Sequence, residues 1–299
     1  MAPGTGPDGV LLVDKPAGVT STRAMAMAKR ALGSLKAGHT GTLDPFATGL
    51  LPLVFGEATK FSRFLIDSDK TYLATLRLGA TSSTGDTEGE IRPGGAVPSD
   101  ISKIEACSRE LIGVSMQIPP MHSAVRVQGK RLYDLARQGV EIVREPRSIR
   151  VEFIDIVAFS GEKLVISLKC SKGTYVRTLA ESLGERLGCG AYLTELRRTE
   201  TGGFRVEEAV TPEALAEMGL AAARARLLPV EVLVRTLPRA DLAEREAWAI
   251  RNGQELAARE EWEPGEWALF GPAGVFIGVG KVGEGRLAAA RLMATGAAA

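Results

Sequence analysis

The sequence predicts a mixed α/β (α+β) domain, followed by a small β-barrel-like module that begins near residue 235. Three observations carry that prediction. KTYLATLRLGAT has the period of a strand, with Tyr72, Ala74, Leu76 and Leu78 on one face and Thr71, Leu73, Thr75 and Arg77 on the other. In SKGTYVRTLAESLGERLG, Val176, Leu179, Leu183 and Leu187 recur at helical spacing until Gly188 closes the run. Beyond LLPVEVL the texture changes to short apolar runs, EWALF, VFIGVGKV and LAAARLM, split by GPAG and GEGR. At 299 residues, 45% hydrophobic and 24% charged, the chain is long enough for one large domain and a small one.

From the start of the chain, GVLLVDKP reads as a strand stopped by Pro16. TSTRAMAMAKRALG then reads as a helix capped by Thr20 or Ser21 and ended by Gly33. The turn-rich loop GHTGTLDPFATG follows, then the apolar strand LLPLVF and a short helix in ATKFSRFLI. After the strand at 70–81 come a polar loop, SSTGDTEGE, and a helix in PSDISKIEACSRELIG capped by Ser99 or Asp100. IPPMHSAVRVQGKRLYDLARQG is a proline-broken entry into a basic segment. Strands are expected at SIRVEFIDIVAF, KLVISLKC and AYLTELRRTETGGF, the last ending in a Gly-Gly turn. Residues 1–234 are thus expected to form the main domain and 235–299 the module.

Composition excludes several classes. Cys107, Cys170 and Cys189 are odd in number, far apart and without a CxxC, which suggests neither a disulfide framework nor a zinc knuckle. With only His39 and His122 for imidazole, no metal is expected in the chemistry. No basic stretch leads into a long apolar one, and no apolar run approaches the roughly 18 residues that span a bilayer, so a cytoplasmic, membrane-free protein is expected. The net charge of +1 is uninformative, but its distribution is not. Arg126, Lys130, Arg131, Arg137, Arg144, Arg147 and Arg150 face only Asp134, Glu141 and Glu145 over one segment. That pattern fits a solvated charged face or a phosphate contact, and its arginine bias favours the second.

The lone acid of GHTGTLDPFATG, Asp44, precedes Pro45, which biases it toward extended backbone. It reads either as a turn residue or as a carboxylate held by a rigid loop for nucleophilic or base chemistry. His39 reads as a base, a ligand or a polar loop residue. No Gly-Lys-Ser/Thr follows to make a phosphate loop, and no second histidine lies near to make a nucleotidyltransferase signature. Tyr72 alone fits a core tyrosine and Arg177 a surface ion pair. Arg177 falls in the first turn of a helix, against the positive end of its dipole, so an acid nearby is expected to compensate it. Together, an acid, an arginine and an aromatic ring in one cleft would suit a flipped-out nucleobase.

The ordered segments LLVDKPAGVTS, GHTGTLDPFATGLLPLVFGEATKF, KTYLATLRLGATSSTGDTEGE, IPPMHSAVRVQGKRLYDLARQG, SKGTYVRTLAESLGERLG and AYLTELRRTETGGF resemble the TruB-type tRNA pseudouridine synthases over about residues 9–205. These isomerise the uridine at position 55 of the tRNA T-loop. The resemblance implies that Asp44 is the catalytic aspartate, Tyr72 the active-site tyrosine, Arg177 the arginine that pairs with the aspartate, and Leu196 a pocket leucine. It implies that His39 packs into the T-loop. Thr42, Arg126, Lys15, Lys60 and Asp86, in the same matching segments, are assigned to substrate binding. It further implies a central, largely antiparallel mixed sheet, an RNA-gripping thumb at about 122–150 and a C-terminal PUA-type module. One departure is that Arg126 and His122 stand where the family commonly carries lysine and Phe or Tyr.

The implied chemistry cuts the C1′–N1 bond of a flipped uridine and joins C1′ to C5, with no cofactor. Asp44 attacks the sugar or removes the C2′ proton. Arg177 is expected to hold the Asp44 pKa low, while Tyr72 stacks on the uracil. The expected partner is the tRNA T stem-loop alone, bound by a monomer without an obligatory protein partner. Two alternatives share these features: a guide-dependent pseudouridine synthase subunit, and a non-catalytic RNA-binding or RNA-folding module.

Overall fold

A computed structural model describes residues 6–34, 36–121 and 142–294, and between them the backbone of 126–127 and 130–131. The strands of the main domain are β1 (Gly9–Lys15), β2 (Ala37–His39), β3 (Thr48–Phe55), β4 (Lys70–Leu78), β5 (Ala80–Ser82), β6 (Ile91–Pro93), β7 (Gly113–Gln117), β8 (Arg126–Val127), β9 (Lys130–Arg131), β10 (Arg147–Ser160), β11 (Lys163–Cys170), β12 (Ala191–Thr201) and β13 (Phe204–Arg205). Its helices are α1 (Ser21–Leu32), α2 (Arg63–Ile66), α3 (Ile101–Arg109), α4 (Val176–Leu187), α5 (Pro212–Glu217) and α6 (Leu220–Arg224). The C-terminal region holds β14 (Arg239–Asp241), α7 (Glu244–Arg251), β15 (Leu256–Ala257), β16 (Gly265–Phe270), β17 (Phe276–Gly283) and β18 (Arg286–Leu292).

The central sheet runs β1-β3-β12-β4-β11-β10-β7, with β2 on β3 and β13 on β12. Every pairing is antiparallel except β3 with β12, which makes the sheet mixed but largely antiparallel, as expected. That parallel pair matters most for the site. It sets Arg198 against Gly49, just after the Asp44 loop, while β12 sets the same Arg198 against Tyr72 on its other side.

Helix ends follow sequence chemistry. The Thr20 hydroxyl accepts from the Arg23 N–H at 3.1 Å, and Gly33 closes α1 at φ 61°. The Asp100 carboxylate caps α3 by accepting from the Ser102 N–H at 2.9 Å. β1 is apolar from Val10 to Val13 because both of its faces are buried there. Leu11 and Val13 enter the main core with α1 and the sheet, whereas Val10 and Leu12 join Leu50, Val54 and Phe61 in a second core. That second core also contains Phe270, Phe276 and Val279, so the C-terminal sheet is seated on the back of β1 and β3.

The C-terminal sheet, ordered β14-β16-β17-β18-β15, contains the three strands expected at EWALF, VFIGVGKV and LAAARLM. It also contains a helix that the strand-rich texture hid. α7 reads EREAWAIR, and its buried face consists of only Ala247, Ala249 and Ile250, too narrow a stripe to stand out among charges. Of the predicted thumb at 122–150, His122 and most of the segment lie outside the described residues, as does the Arg126 side chain.

Gly49 is where chain geometry is tightest. Its φ is +101°, and a Cβ there would stand 2.3 Å from the Arg198 carbonyl oxygen. Gly49→Ala therefore combines backbone strain with a backbone clash at the parallel pair. It is expected to cost roughly 2–4 kcal/mol, read as a lowered midpoint in urea denaturation with an unchanged slope.

Candidate active site

Asp44 lies in the loop between β2 and β3, and groups outside the loop fix its shape. The Ser21 hydroxyl accepts from the Leu43 N–H at 2.8 Å and donates to the Leu43 carbonyl at 3.0 Å. The fully buried Lys15 ammonium donates to the carbonyls of Pro16, Val19 and Pro45 at 3.0, 2.6 and 3.2 Å. Arg198 Nε donates to the Leu50 carbonyl at 2.7 Å and Nη2 to the Gly41 carbonyl at 3.1 Å. Three buried cationic or hydroxyl side chains thus satisfy the Gly41, Leu43 and Pro45 carbonyls of the loop and tie it to its neighbours.

Arg177 is buried, not on the surface, and meets two carboxylates from different loops. Its Nη2 lies 3.1 Å from Asp44 Oδ2, and its Nη1 lies 3.3 Å from Asp86 Oδ2 and donates to the Thr84 carbonyl at 3.1 Å. The acid expected to offset the dipole at the start of α4 is therefore a pair of acids. Asp86 is fixed in turn by the Thr84 hydroxyl at 2.5 Å and the Glu88 N–H at 3.0 Å. Asp86 is 4% exposed, whereas the Asp44 side chain keeps 34%, so one acid is a buried prop and the other faces the cleft.

Burial pushes the Asp44 carboxyl above its ordinary pKa. Arg177 and Lys15 pull it down, and Asp86 adds to the rise. The expectation that Arg177 holds this carboxyl low is corrected: the guanidinium opposes the desolvation without overcoming it. Burial likewise raises the Tyr72 phenol, against the charge and hydrogen bond of Arg198. Lys15 and Lys70 are both lowered by burial to about 8.

The cleft has a volume of about 530 Å³. Asp44, Thr42, Tyr72, Arg177 and Leu196 all line it, so these five predicted residues converge from the loop, two strands and a helix. Arg147, Lys172 and Tyr175 line it as well. Lys15 and Asp86 do not touch the cleft; each supports a residue or loop that does. Lys60, assigned to substrate binding, does not line the cleft: it pairs with Glu57 at 2.5 Å and donates to the Leu292 carbonyl at 3.2 Å, clasping the C-terminal sheet. His39 ends β2 outside the cleft lining, and its buried Nδ1 has no hydrogen-bond partner among the described residues. Of the basic segment, Arg150 pairs with Asp69 at 2.7 Å and Arg144 donates to the Pro119 carbonyl at 2.9 Å.

Sequence reasoning missed Arg198 and Lys70. Lys70 donates to the carbonyls of Leu65, Ile66 and Ser68 at 3.2, 2.7 and 2.5 Å, and both residues line the cleft. The available signal was alternation. In LTELRRT, Leu196 and Arg198 share the inward face of β12, so a charge at the second position is a charge in the core.

The family described as TruB family pseudouridylate synthase (N terminal domain) matches residues 29–176. A tRNA pseudouridylate synthase B C-terminal domain matches 177–235, and a Pseudouridine synthase II TruB C-terminal domain matches 238–293. The chain is 48% identical to a tRNA pseudouridine synthase B of Thiobacillus denitrificans, across 96% of each chain. It is 50% identical to that of Azoarcus sp., across 96% of this chain and 95% of the relative. Among solved structures, a Cbf5-Nop10-Gar1 complex is similar at a TM-score of 0.71 and 28% identity, covering 92% of this chain and 78% of that one. An H/ACA RNP bound to a substrate RNA containing 2′-deoxyuridine is similar at 0.70 and 26%, covering 94% and 84%. With relatives this similar along nearly the whole of both chains, the chain belongs to the TruB family of pseudouridine synthases.

Proposed function

We propose that this protein isomerises uridine to pseudouridine in the T-loop of tRNA, at position 55, acting alone and in the cytoplasm. The observation that carries the reading is the chain Asp44–Arg177–Asp86 at the cleft, with Tyr72 beside it. Relatives named tRNA pseudouridine synthase B support tRNA as the substrate. The three cysteines are free and buried, as suits a reducing compartment.

A uridine inside RNA structure presents neither C1′ nor C5 to a side chain, so the nucleotide must enter the cleft unstacked. A T-loop already holds bases apart, which lowers that cost. Within the cleft, Asp44 supplies the carboxylate that drives C1′–N1 cleavage, by attack at C1′ or by taking the C2′ proton; both routes need it ionised. Arg177 holds the carboxylate from behind and offsets part of its desolvation, while Asp86 fixes Arg177. Tyr72 packs against the uracil, and Leu196 closes the apolar side. C5 then bonds to C1′, and the proton lost from C5 is balanced by one gained at N1, so neither oxidant nor cofactor enters. Arg147, Lys172 and the basic segment at 122–150 take the RNA backbone, and His39 and Thr42 take the loop around the extruded base. The C-terminal PUA-like module, 235–299, binds RNA beyond the T-loop.

The guide-dependent reading is favoured by likeness to Cbf5 in its complexes. A purified preparation that converts a bare T stem-loop transcript, without guide RNA or added protein, separates the two; conversion only on their addition would make the protein a subunit. Asp44→Asn removes the ionisable oxygen with little change of shape. It is expected to lower the single-turnover rate by about four orders of magnitude or more while the T stem-loop still binds. Retention of near wild-type rate would remove Asp44 from the chemistry and favour the RNA-binding module.

The pH profile follows from the raised carboxyl. Ionised Asp44 is the active form, so the rate falls as pH drops through its pKa. Arg177→Met deletes the charge that lowers that pKa, so the acid limb moves to higher pH and the plateau falls. Arg177→Lys keeps the charge and is expected to leave the limb nearly in place while losing plateau rate, because one ammonium cannot span two carboxylates as a fork does. A pH series of single-turnover rates for the three proteins checks both.

A further inference from the structure

The first turn of α4 carries Arg177, yet the residue at its cap is Tyr175, and a tyrosine lacks the short acceptor with which Ser, Thr, Asp or Asn closes a helix start. The turn before it, 171–174, passes through Gly173 at φ +79° and supplies a long backbone bond, from the Thr174 N–H to the Ser171 carbonyl at 3.4 Å. The cap is held from another element. Gln117, 58 residues away at the end of β7, is buried, and its side-chain amide meets both backbone groups of Tyr175. Its Oε1 accepts from the Tyr175 N–H at 2.8 Å and its Nε2 donates to the Tyr175 carbonyl at 3.1 Å. The amide thus grips a peptide group at both ends, as a neighbouring strand would. Gln117 also stands at a junction. In register it faces Arg147 of β10, which lines the cleft as Tyr175 does. Pro119 and Pro120 follow, with no N–H to extend the sheet, and the chain leaves it there toward the basic segment.

We propose that Gln117 is a positioning residue for the isomerisation: it holds the start of α4 where Arg177 meets Asp44 and Asp86 together. This rests on the isomerase reading above. Arg177 is the second residue of α4 and lies two residues beyond the peptide that Gln117 grips. Its guanidinium reaches Asp44 at 3.1 Å and Asp86 at 3.3 Å, so it has little slack in either direction. Asp86 is buried and fixed by Thr84 and the Glu88 N–H, whereas Asp44 opens onto the cleft. A shift of the helix start is therefore taken up between Arg177 and Asp44, the pair at the reacting end. Gln117 touches no reacting atom. It acts on the chemical step through Arg177 and through the cleft wall at Tyr175, and it leaves the grip on RNA to other residues.

The test is Gln117→Met, which keeps the length of the side chain and removes both bonds. In single-turnover conversion of an unmodified T stem-loop, the plateau rate is expected to fall by about 30-fold, the order of two buried hydrogen bonds. The protein concentration that gives half the plateau should stay within about twofold, because binding is not what the bonds support. The acid limb of the pH profile should move up by about half a unit: Asp44 is faced by Arg177, Lys15 and Asp86, and a loosened Arg177 offsets its desolvation less. A variant that is merely less stable loses rate with its folded fraction, read from a urea midpoint measured alongside, and keeps the limb in place. A plateau within about threefold of wild type, a loss confined to RNA affinity, or a lost plateau with an unmoved limb would each overturn the proposal. Gln117→Asn has the same amide but is one methylene too short to meet both groups. It should show the same two changes more weakly, and it decides the matter if the methionine variant does not fold. Wild-type protein that leaves the T stem-loop uridine unconverted would instead overturn the isomerase reading, and this inference with it.

Discussion

A buried guanidinium at the start of a helix organises the cleft of this molecule. Arg177 sits where the α4 dipole is positive and almost no water reaches it, so its charge must be met by protein. It is met by Asp44 from the loop after β2 and Asp86 from the loop after β5. One side chain thereby joins a helix and two loops that are distant in sequence. Removing a partner from such a buried pair typically costs roughly 3–5 kcal/mol, so the loops are held in one arrangement although each is rich in glycine. The arrangement is unequal. Asp86 spends its remaining oxygen on Thr84 and a backbone N–H, while Asp44 keeps an open edge toward the cleft.

The second constraint is the set of buried cations that bind carbonyls rather than acids. Lys15, Lys70 and Arg198 each satisfy two or three backbone oxygens in the loops, the end of α2 and the start of β3 around the cleft. Structurally they supply bonds that helix and sheet do not give these carbonyls. Electrostatically they leave positive charge beneath a cleft in which Asp44 is the one acid among the described lining residues, which suits an RNA substrate.

The C-terminal sheet is built onto the central sheet instead of hanging from a linker. Phe270 and Phe276 pack with Phe61 in the core that lies behind β1 and β3. Lys60 and Glu57 extend this seam, with Lys60 bound to the Leu292 carbonyl and Glu57 accepting from the Ala294 N–H. The GEATKF stretch thus serves the junction between two sheets, which explains why its lysine is absent from the cleft despite following the Asp44 motif by so few residues.

Much of the fold was legible because its elements announce themselves locally: the alternation of β4, the helical spacing and glycine stop of α4, and the caps of α1 and α3. Asp44, Tyr72, Arg177, Thr42 and Leu196 were legible as a group of cleft residues through ordered motifs, since local chemistry alone left Asp44 open between a turn residue and a held carboxylate and made Arg177 a surface ion pair. By itself the sequence determined which residues could do chemistry and where the strands and helices run, because those depend on side-chain type and short-range period. Only the tertiary structure decided which charges are buried. The parallel pairing of β3 with β12 turned Arg198 into the floor of the cleft, the close approach of three elements desolvated Asp44 until burial outweighed its arginine, and the packing of two sheets drew Lys60 away from the cleft. Burial and its effect on charge are properties of residues far apart in sequence, and no local pattern carries them.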